Sequence, residues 1–292
     1  MTSPSIEQIK ALRDKTGAGM MDCKAALQES GGDRGKAEDW LRKKGIAKAS
    51  QKSERATGEG IIAVALEPSQ AGVMIEINTE TDFVARNELL QEFARSCASL
   101  ALRERCGDKE ALLALPYGTG DSKKSVQVAL TDLIASVGEN LVLQRVVLLE
   151  AGEGTLVSYV HNAYQDNIGR IGVMLTLRGE GQSNGDLGKQ LAMHVAAMAP
   201  LALSAEAVPK AWEQRERDII LAQEDLKDKP ADIAEKMAEG RLRKRYQEVV
   251  LLDQLWVLDG KTRMRDVLAQ HGAEIVSYVR FALGESTGDT DG

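Results

Sequence analysis

The sequence predicts an α+β protein: a three-helix module first, then a body of two α+β subdomains on antiparallel sheets, with a helical hairpin inserted in the second. Three observations lead there. Apolar residues recur at helical spacing three times before residue 46, with glycine-rich breaks between the runs. Short β-prone runs followed by a helix then occur twice between residues 59 and 203. Finally, a charge-rich stretch over 204–249 carries only a narrow apolar stripe and reads as broken once, at Pro230.

The first segment reads as helices over Ser5–Asp14, Met20–Glu29 and Asp33–Lys43, with Ile6, Ile9 and Leu12, then Met20, Cys23 and Leu27, then Ala37, Trp40 and Leu41 on their apolar faces. Thr16-Gly17-Ala18-Gly19 and Gly31-Gly32 separate them, Asp33 is placed as a cap, and Gly45 as an end signal. That sets a module at 1–46 and a polar linker or helical extension at 47–58. From Glu59 the pattern turns to period two, with strands over Ile61–Leu66 and Val73–Asn78 around a turn at Pro68 and Gly72. Thr79-Glu80-Thr81-Asp82 leads into a helix toward Arg105, and a second helix covers Lys124–Val137, so one subdomain spans 59–139. Strands over Leu141–Leu149, Thr155–His161 and Arg170–Arg178 and a helix over Leu187–Met198 open the other, at 140–203. Helices over Glu206–Asp228 and Ala231–Glu248 form the insertion at 204–249, with Trp212, Ile219, Leu226, Ile233, Met237 and Tyr246 along the stripe. A hairpin projecting from the body and a charged pair lying flat on a sheet both suit that pattern. A helix over Met264–Gln270 and a strand over Glu274–Leu283 complete the body at 250–284, and an acidic tail occupies 285–292.

Composition narrows the function. Of 292 residues 43% are hydrophobic and 28% charged, and no uncharged apolar run nears the roughly 18 residues a membrane helix needs. Without a secretory signature at the start, a cytoplasmic protein is expected. Through Arg55 there are 12 Lys+Arg against 8 Asp+Glu, whereas the rest holds 25 against 36. An acidic body disfavours direct nucleic-acid binding, which needs clustered cations, and points to a protein partner. Cys23, Cys97 and Cys106 are odd in number and widely spaced, hence reduced and structural.

No catalytic motif survives inspection. Gly260-Lys261-Thr262 mimics the end of a nucleotide-binding loop, but Leu255 stands where its first glycine belongs. Gly17-Ala18-Gly19 lacks the third glycine of a dinucleotide fingerprint. His161, His194 and His271 sit on separate elements without metal-ligand spacing, so neither metal nor cofactor is expected. His194, in an apolar helix, reads as a hydrogen-bonded core histidine; His161, ending a strand, could serve a partner or nothing.

The most informative stretch is Asn78-Thr79-Glu80-Thr81-Asp82-Phe83-Val84-Ala85-Arg86, where a strand enters a polar turn that carries an aromatic. Asp82 as helix cap and Phe83 as a core anchor would explain it, and spacing alone favours that reading. The alternative is a projecting wedge. Only 3 Trp, 5 Tyr and 3 Phe occur in the chain, which makes an aromatic at such a corner a candidate interface anchor.

This stretch, together with Ile9-Lys10-Ala11-Leu12-Arg13 and Thr16-Gly17-Ala18-Gly19-Met20-Met21-Asp22-Cys23-Lys24, resembles the two signature stretches of the bacterial elongation factor Ts family. The likeness continues through Ile168-Gly169-Arg170-Ile171-Gly172-Val173, Met193-His194-Val195-Ala196-Ala197 and Ile233-Ala234-Glu235-Lys236-Met237-Ala238. It implies an N-terminal module of the ubiquitin-associated (UBA-like) type and the body and inserted hairpin described above. It also implies a nucleotide exchange factor, not an enzyme, whose partner is elongation factor Tu, the GTPase that delivers aminoacyl-tRNA to the ribosome.

By residue match the resemblance implies that Asp82 and Phe83, flanked by Thr81 and Val84, intrude near the partner's Mg²⁺ site; as a cap of its own helix Asp82 would orient the wedge. Arg13, Met20, Met21 and Lys24 would dock the module, with His161, Val257 and Leu258 adding contacts. The loop Asn162–Asn167 is longer than the family pattern, and the tail after Gly284 lacks the helical module some relatives carry. A homodimer, or a two-to-two assembly with Tu through the hairpin, is left open. So is a different function class, an adaptor whose three-helix module recruits other proteins.

Overall fold

A computed structural model describes residues 4–120, 123–179, 185–227 and 229–285. It is an α+β structure whose chain divides into two compact units: residues up to 65 with 73–148, and residues 66–72 with 149 onward.

In the first unit, α1 (Ile6–Thr16) opens with a capping box between Ser5 and Gln8 and ends at the left-handed Gly17. α2 (Met20–Glu29) follows, then α3 (Arg34–Lys52), capped by the Asp33 carboxylate on the Lys36 amide. The three pack around Leu12, Cys23, Ala26, Leu27 and Ala37. Gly45 was expected to end the third helix; instead α3 runs on to Lys52. The glycine is buried, and a Cβ built on it would lie 3.5 Å from that of Ala135. That is ordinary van der Waals distance, so a methyl group would fit against α7 (Val126–Val137), on which α3 packs, and the glycine does not end the helix.

The strands β1 (Glu59–Glu67) and β2 (Ala71–Thr79) meet at a turn closed by the Gln70 amide on the Glu67 carbonyl. Both are buried through their middles on both faces, not alternately, so the period-two expectation fails where the sheet is covered twice. β2 lies between β1 and β5 (Leu141–Glu150). The helix expected from Asp82 toward Arg105 is two: a single turn, α4 (Asp82–Ala85), and α5 (Glu88–Arg103), restarted by the Asn87 side chain on the Leu89 amide. α5 buries Leu90, Phe93, Ala94, Cys97 and Ala101. A short α6 (Lys109–Ala114) and the antiparallel pair β3 (Pro116–Tyr117) and β4 (Lys124–Ser125), unforeseen from sequence, precede α7, which Ser125 caps and Gly138 ends at φ 85°.

In the second unit, β6 (Thr155–His161), β8 (Ile171–Gly179) and β9 (Ala273–Ala282) form an antiparallel sheet with β8 central and a register shift at Thr176/Leu177. β7 (Ile168–Gly169) precedes β8. Leu187, Leu191 and Val195 of α8 (Gly185–Met198) and Met264, Val267 and Leu268 of α12 (Met264–Gln270) share its core with Val173, Leu175 and Trp256.

Pro209, overlooked in the sequence, starts α9 (Lys210–Leu221), which stops short; α10 (Glu224–Lys227) and α11 (Ala231–Val249) follow. α9 and α11 pack together around Ile220, Leu226, Ala238 and Leu242, and Trp212 stacks on Tyr246 at 6.3 Å. Ile219 and Ile233, assigned to this stripe from sequence, are exposed; the inward positions are their neighbours Ile220 and Ala234. Of the expected tail, residues 286–292 lie outside the described ones.

All three cysteines are free; Cys23 and Cys97 are buried and Cys106 is half-buried. Burial pushes the Cys97 thiol up to about 12. Among the described residues no helix is long and apolar enough to cross a membrane, and no cluster of three or more His, Cys, Asp or Glu could hold a metal ion.

Candidate partner interface

The corner after β2 is built from hydrogen bonds. Thr79 is buried, and its hydroxyl donates to the Thr81 carbonyl at 2.7 Å. Thr81 occupies the cap position of α4, yet its side chain does not cap: both its amide and its hydroxyl donate to the Glu139 carboxylate, at 3.0 and 2.6 Å. One residue earlier, the Glu80 carboxylate accepts the Asn140 amide at 2.6 Å and the Arg55 guanidinium at 3.3 Å. The Asn140 amide, with help from Arg55, holds the Glu80 carboxyl below its ordinary range against the opposing effect of burial. Behind the turn, Ala85 and Leu90 are fully buried, and the Gln91 side-chain amide donates to the Ala85 carbonyl at 3.3 Å.

On this base Phe83 stands out 81% exposed. The core-anchor reading that spacing favours is therefore wrong, because Ala85 and Leu90 take the inward positions. Fully burying such a ring stabilises by roughly 1.5 to 3 kcal/mol, which this fold leaves unspent and a partner could gain. Nor does Asp82 cap the helix: it is the first helical residue, and its carboxylate sits 3.6 Å from the Arg86 guanidinium at the surface. Such a pair contributes about 0 to 1 kcal/mol. Val84 is half-buried and Leu89, at the start of α5, is exposed.

Also in the first unit, Arg13 on α1 and Met20, Met21 and Lys24 on α2 are all exposed. Neither methionine enters the module core, where Cys23, Ala26 and Leu27 face inward. Exposed, unbranched thioethers make an adaptable apolar surface.

In the second unit His161 ends β6 exposed, its Nδ1 3.0 Å from the Tyr159 hydroxyl. The loop after it turns tightly, with Asn162 and Asn167 at positive φ and the Tyr164 amide on the Ile168 carbonyl at 2.8 Å. Val257 and Leu258 are exposed, Leu258 by 54%. They are held by a buried network that the sequence hides. The Val257 amide donates to His194 Nδ1 at 3.2 Å, and the opposite nitrogen lies 3.0 Å from Gln254 Oε1. Gln254 in turn donates to the Glu248 carbonyl at 2.7 Å, and the imidazole stacks on Trp256. With Nδ1 accepting, the neutral tautomer with its proton on Nε2 satisfies every contact. Protonation would put a second hydrogen against the Val257 amide.

Burial holds the His194 pKa below its usual 6.5, the Gln254 contact opposing. Below that value the unfolded chain binds more protons than the folded one, so stability is full above it and lost as pH falls. Unfolding free energies from denaturant titrations between pH 7.5 and 5 should fall by up to about 1.4 kcal/mol per pH unit from this one group. His194→Gln, although less stable throughout, should have a shallower slope. An identical slope would show that His194 does not titrate with unfolding.

The structure thus brings Thr81, Asp82, Phe83 and Val84 onto one turn, gathers Arg13, Met20, Met21 and Lys24 on adjoining helices, and leaves His161, Val257 and Leu258 on elements of the second unit. The residues missed from sequence are those that brace the site: Glu139, Asn140, Glu80 and Arg55 at the corner, and Gln254 behind Val257. Their partners lie up to 87 positions away, and no local pattern marks them.

A family model described as Elongation factor TS matches residues 80–285. Among curated proteins, an Elongation factor Ts of Rhodospirillum centenum is 45% identical, covering 98% of this chain and 94% of that protein. One from Gluconobacter oxydans is 46% identical over 95% and 91%, and one from Rhizobium etli 43% identical over 98% and 94%.

Proposed function

The chain belongs to the elongation factor Ts family, and from that premise we propose that it is a guanine-nucleotide exchange factor for elongation factor Tu. It binds Tu carrying GDP, disturbs the Mg²⁺–phosphate site of that GTPase and promotes GDP release during translation elongation in the cytoplasm. A GTPase holds GDP through a phosphate cradle and a metal that neutralises phosphate charge, so release waits until that arrangement is disturbed. The exchange factor is not an enzyme and needs no cofactor, because it exchanges binding energy for the nucleotide's.

The observation that carries this reading is Phe83, an aromatic ring exposed on a turn braced from behind. Inserted between packed elements of Tu, which have discrete arrangements rather than a continuum, it shifts them and the phosphate loop with them. Thr81, Asp82 and Val84 border the wedge; Arg13, Met20, Met21 and Lys24 of a UBA-like module at 1–46 dock it, and His161, Val257 and Leu258 add contacts. The domain division read from sequence, with the hairpin at 204–249 as an antiparallel insertion, belongs to the same proposal. Assembly through that hairpin, as a homodimer or a two-to-two complex with Tu, would be read from the mass in sedimentation.

Linkage constrains the mechanism: the factor binds nucleotide-free Tu more tightly than Tu with GDP, and GDP weakens the factor's binding by the same ratio. The decisive experiment loads Tu with fluorescent GDP and adds the factor with excess unlabelled nucleotide. Label release accelerated in proportion to the factor supports the proposal; no acceleration ends it.

A further inference from the structure

We propose that Glu139 is a positioning residue for the exchange reaction, a brace that holds the Phe83 turn at a fixed angle without itself touching the partner. The inference rests on the exchange-factor reading and concerns what makes the wedge stiff.

Four observations carry it. First, the turn lacks its ordinary local support, since α4 has no side-chain cap and is only four residues long. A single turn is marginal by itself. Second, the missing support comes from Glu139, 58 positions away, whose two carboxylate oxygens take both donors of Thr81 at 3.0 and 2.6 Å. Charge-assisted paired bonds of this kind fix direction as well as distance. Phe83 lies two residues beyond.

Third, Glu139 stands on firm ground. It directly follows Gly138, the left-handed end of α7, and directly precedes Asn140, which is 3% exposed. Asn140 gives its amide to Glu80 and its side-chain amide to the Arg55 carbonyl at 2.9 Å, while the Arg55 guanidinium returns to Glu80. Three chain segments remote in sequence close a loop of hydrogen bonds. Fourth, Arg55 follows α3, which is packed on α7 at Gly45 and Ala135. The helix leaving the N-terminal module and the wedge turn are thereby referred to the same two residues. A lever must be stiff to transmit force, and sites loosened by an ångström lose rate steeply.

The test uses the full chain with Glu139→Ala and Glu139→Gln, each compared with the parent in stopped-flow release of fluorescent GDP from Tu over a range of factor concentrations. Amide exchange of the free proteins is followed by mass spectrometry over residues 79–87. Glu139→Ala should lower the maximal release rate about tenfold or more while the half-saturating concentration shifts less than twofold, and should speed amide exchange only around the turn. Glu139→Gln, which still offers one acceptor and one donor to Thr81, should recover the rate to within about threefold of the parent. Unchanged maximal rate in Glu139→Ala overturns the inference and leaves the exchange reading standing. So does a rate loss that accompanies faster amide exchange throughout the chain, which would mark a general structural role. If the parent itself fails to accelerate release, both fall.

Discussion

Phe83→Ala is expected to remove most of the acceleration of GDP release while the protein stays folded. The ring is 81% exposed, so its truncation deletes almost no buried area and stability should change by no more than about 0.5 kcal/mol. At an interface, by contrast, a central aromatic anchor typically costs about 2 kcal/mol or more on truncation, equivalent to roughly a thirtyfold loss. Stopped-flow release rates paired with thermal melts separate the two effects. Should activity and melting temperature fall together, the ring supports its own fold and the wedge idea is wrong. Phe83→Leu, which keeps much of the apolar bulk, should fall between.

The largest stability effect is expected away from the interface, at Glu76→Ala. Glu76 on β2 and Arg145 on β5 form an ion pair at 2.6 Å, with side chains 2% and 10% exposed. Removing one member of a buried pair takes from the other its closest counter-charge where water is scarce, at a cost of about 3 to 5 kcal/mol. Replacing both, as Glu76→Leu with Arg145→Met, exchanges a desolvated pair for apolar packing and should recover most of that loss. Urea unfolding free energies of Glu76→Leu, Arg145→Met and the double variant, each against the parent, give the coupling directly. A cost below about 1 kcal/mol for Glu76→Ala would mean that water or another group reaches Arg145 readily.

How much of this was legible before the structure depends on the range of the interactions involved. Helices bounded by local chemistry were largely readable: α7 ends at Val137 before Gly138 as expected, though it starts at Val126 rather than Lys124, and α12 coincides with Met264–Gln270. Gly45 misled because a single glycine inside a helix costs only about 1 kcal/mol, which the packing of α3 on α7 outweighs. The two-part helix after β2 was read as one because Asn87 is an ordinary polar residue until its side-chain Oδ1 accepts the Leu89 amide. In the inserted pair, an exposed Ile219 beside a buried Ile220 shows how a narrow stripe with adjacent apolar residues leaves the helix phase undecided. The site divides the same way. Its exposed members were visible as unusual residues in polar company, and the resemblance to a family suggested the roles proposed for them. Glu139, Asn140 and Gln254 act through hydrogen bonds across 58, 60 and 60 positions, and no window of sequence contains both ends.

The cysteines described with the fold have a practical consequence. Cys23 and Cys97 are sealed in the packed interior, and both thiols are held in the protonated, unreactive form by burial. Cys106 alone reaches partial exposure, just beyond α5. A maleimide fluorophore added to the native chain would therefore attach at one address without any engineered thiol, and complex formation could be followed by the tumbling of that dye.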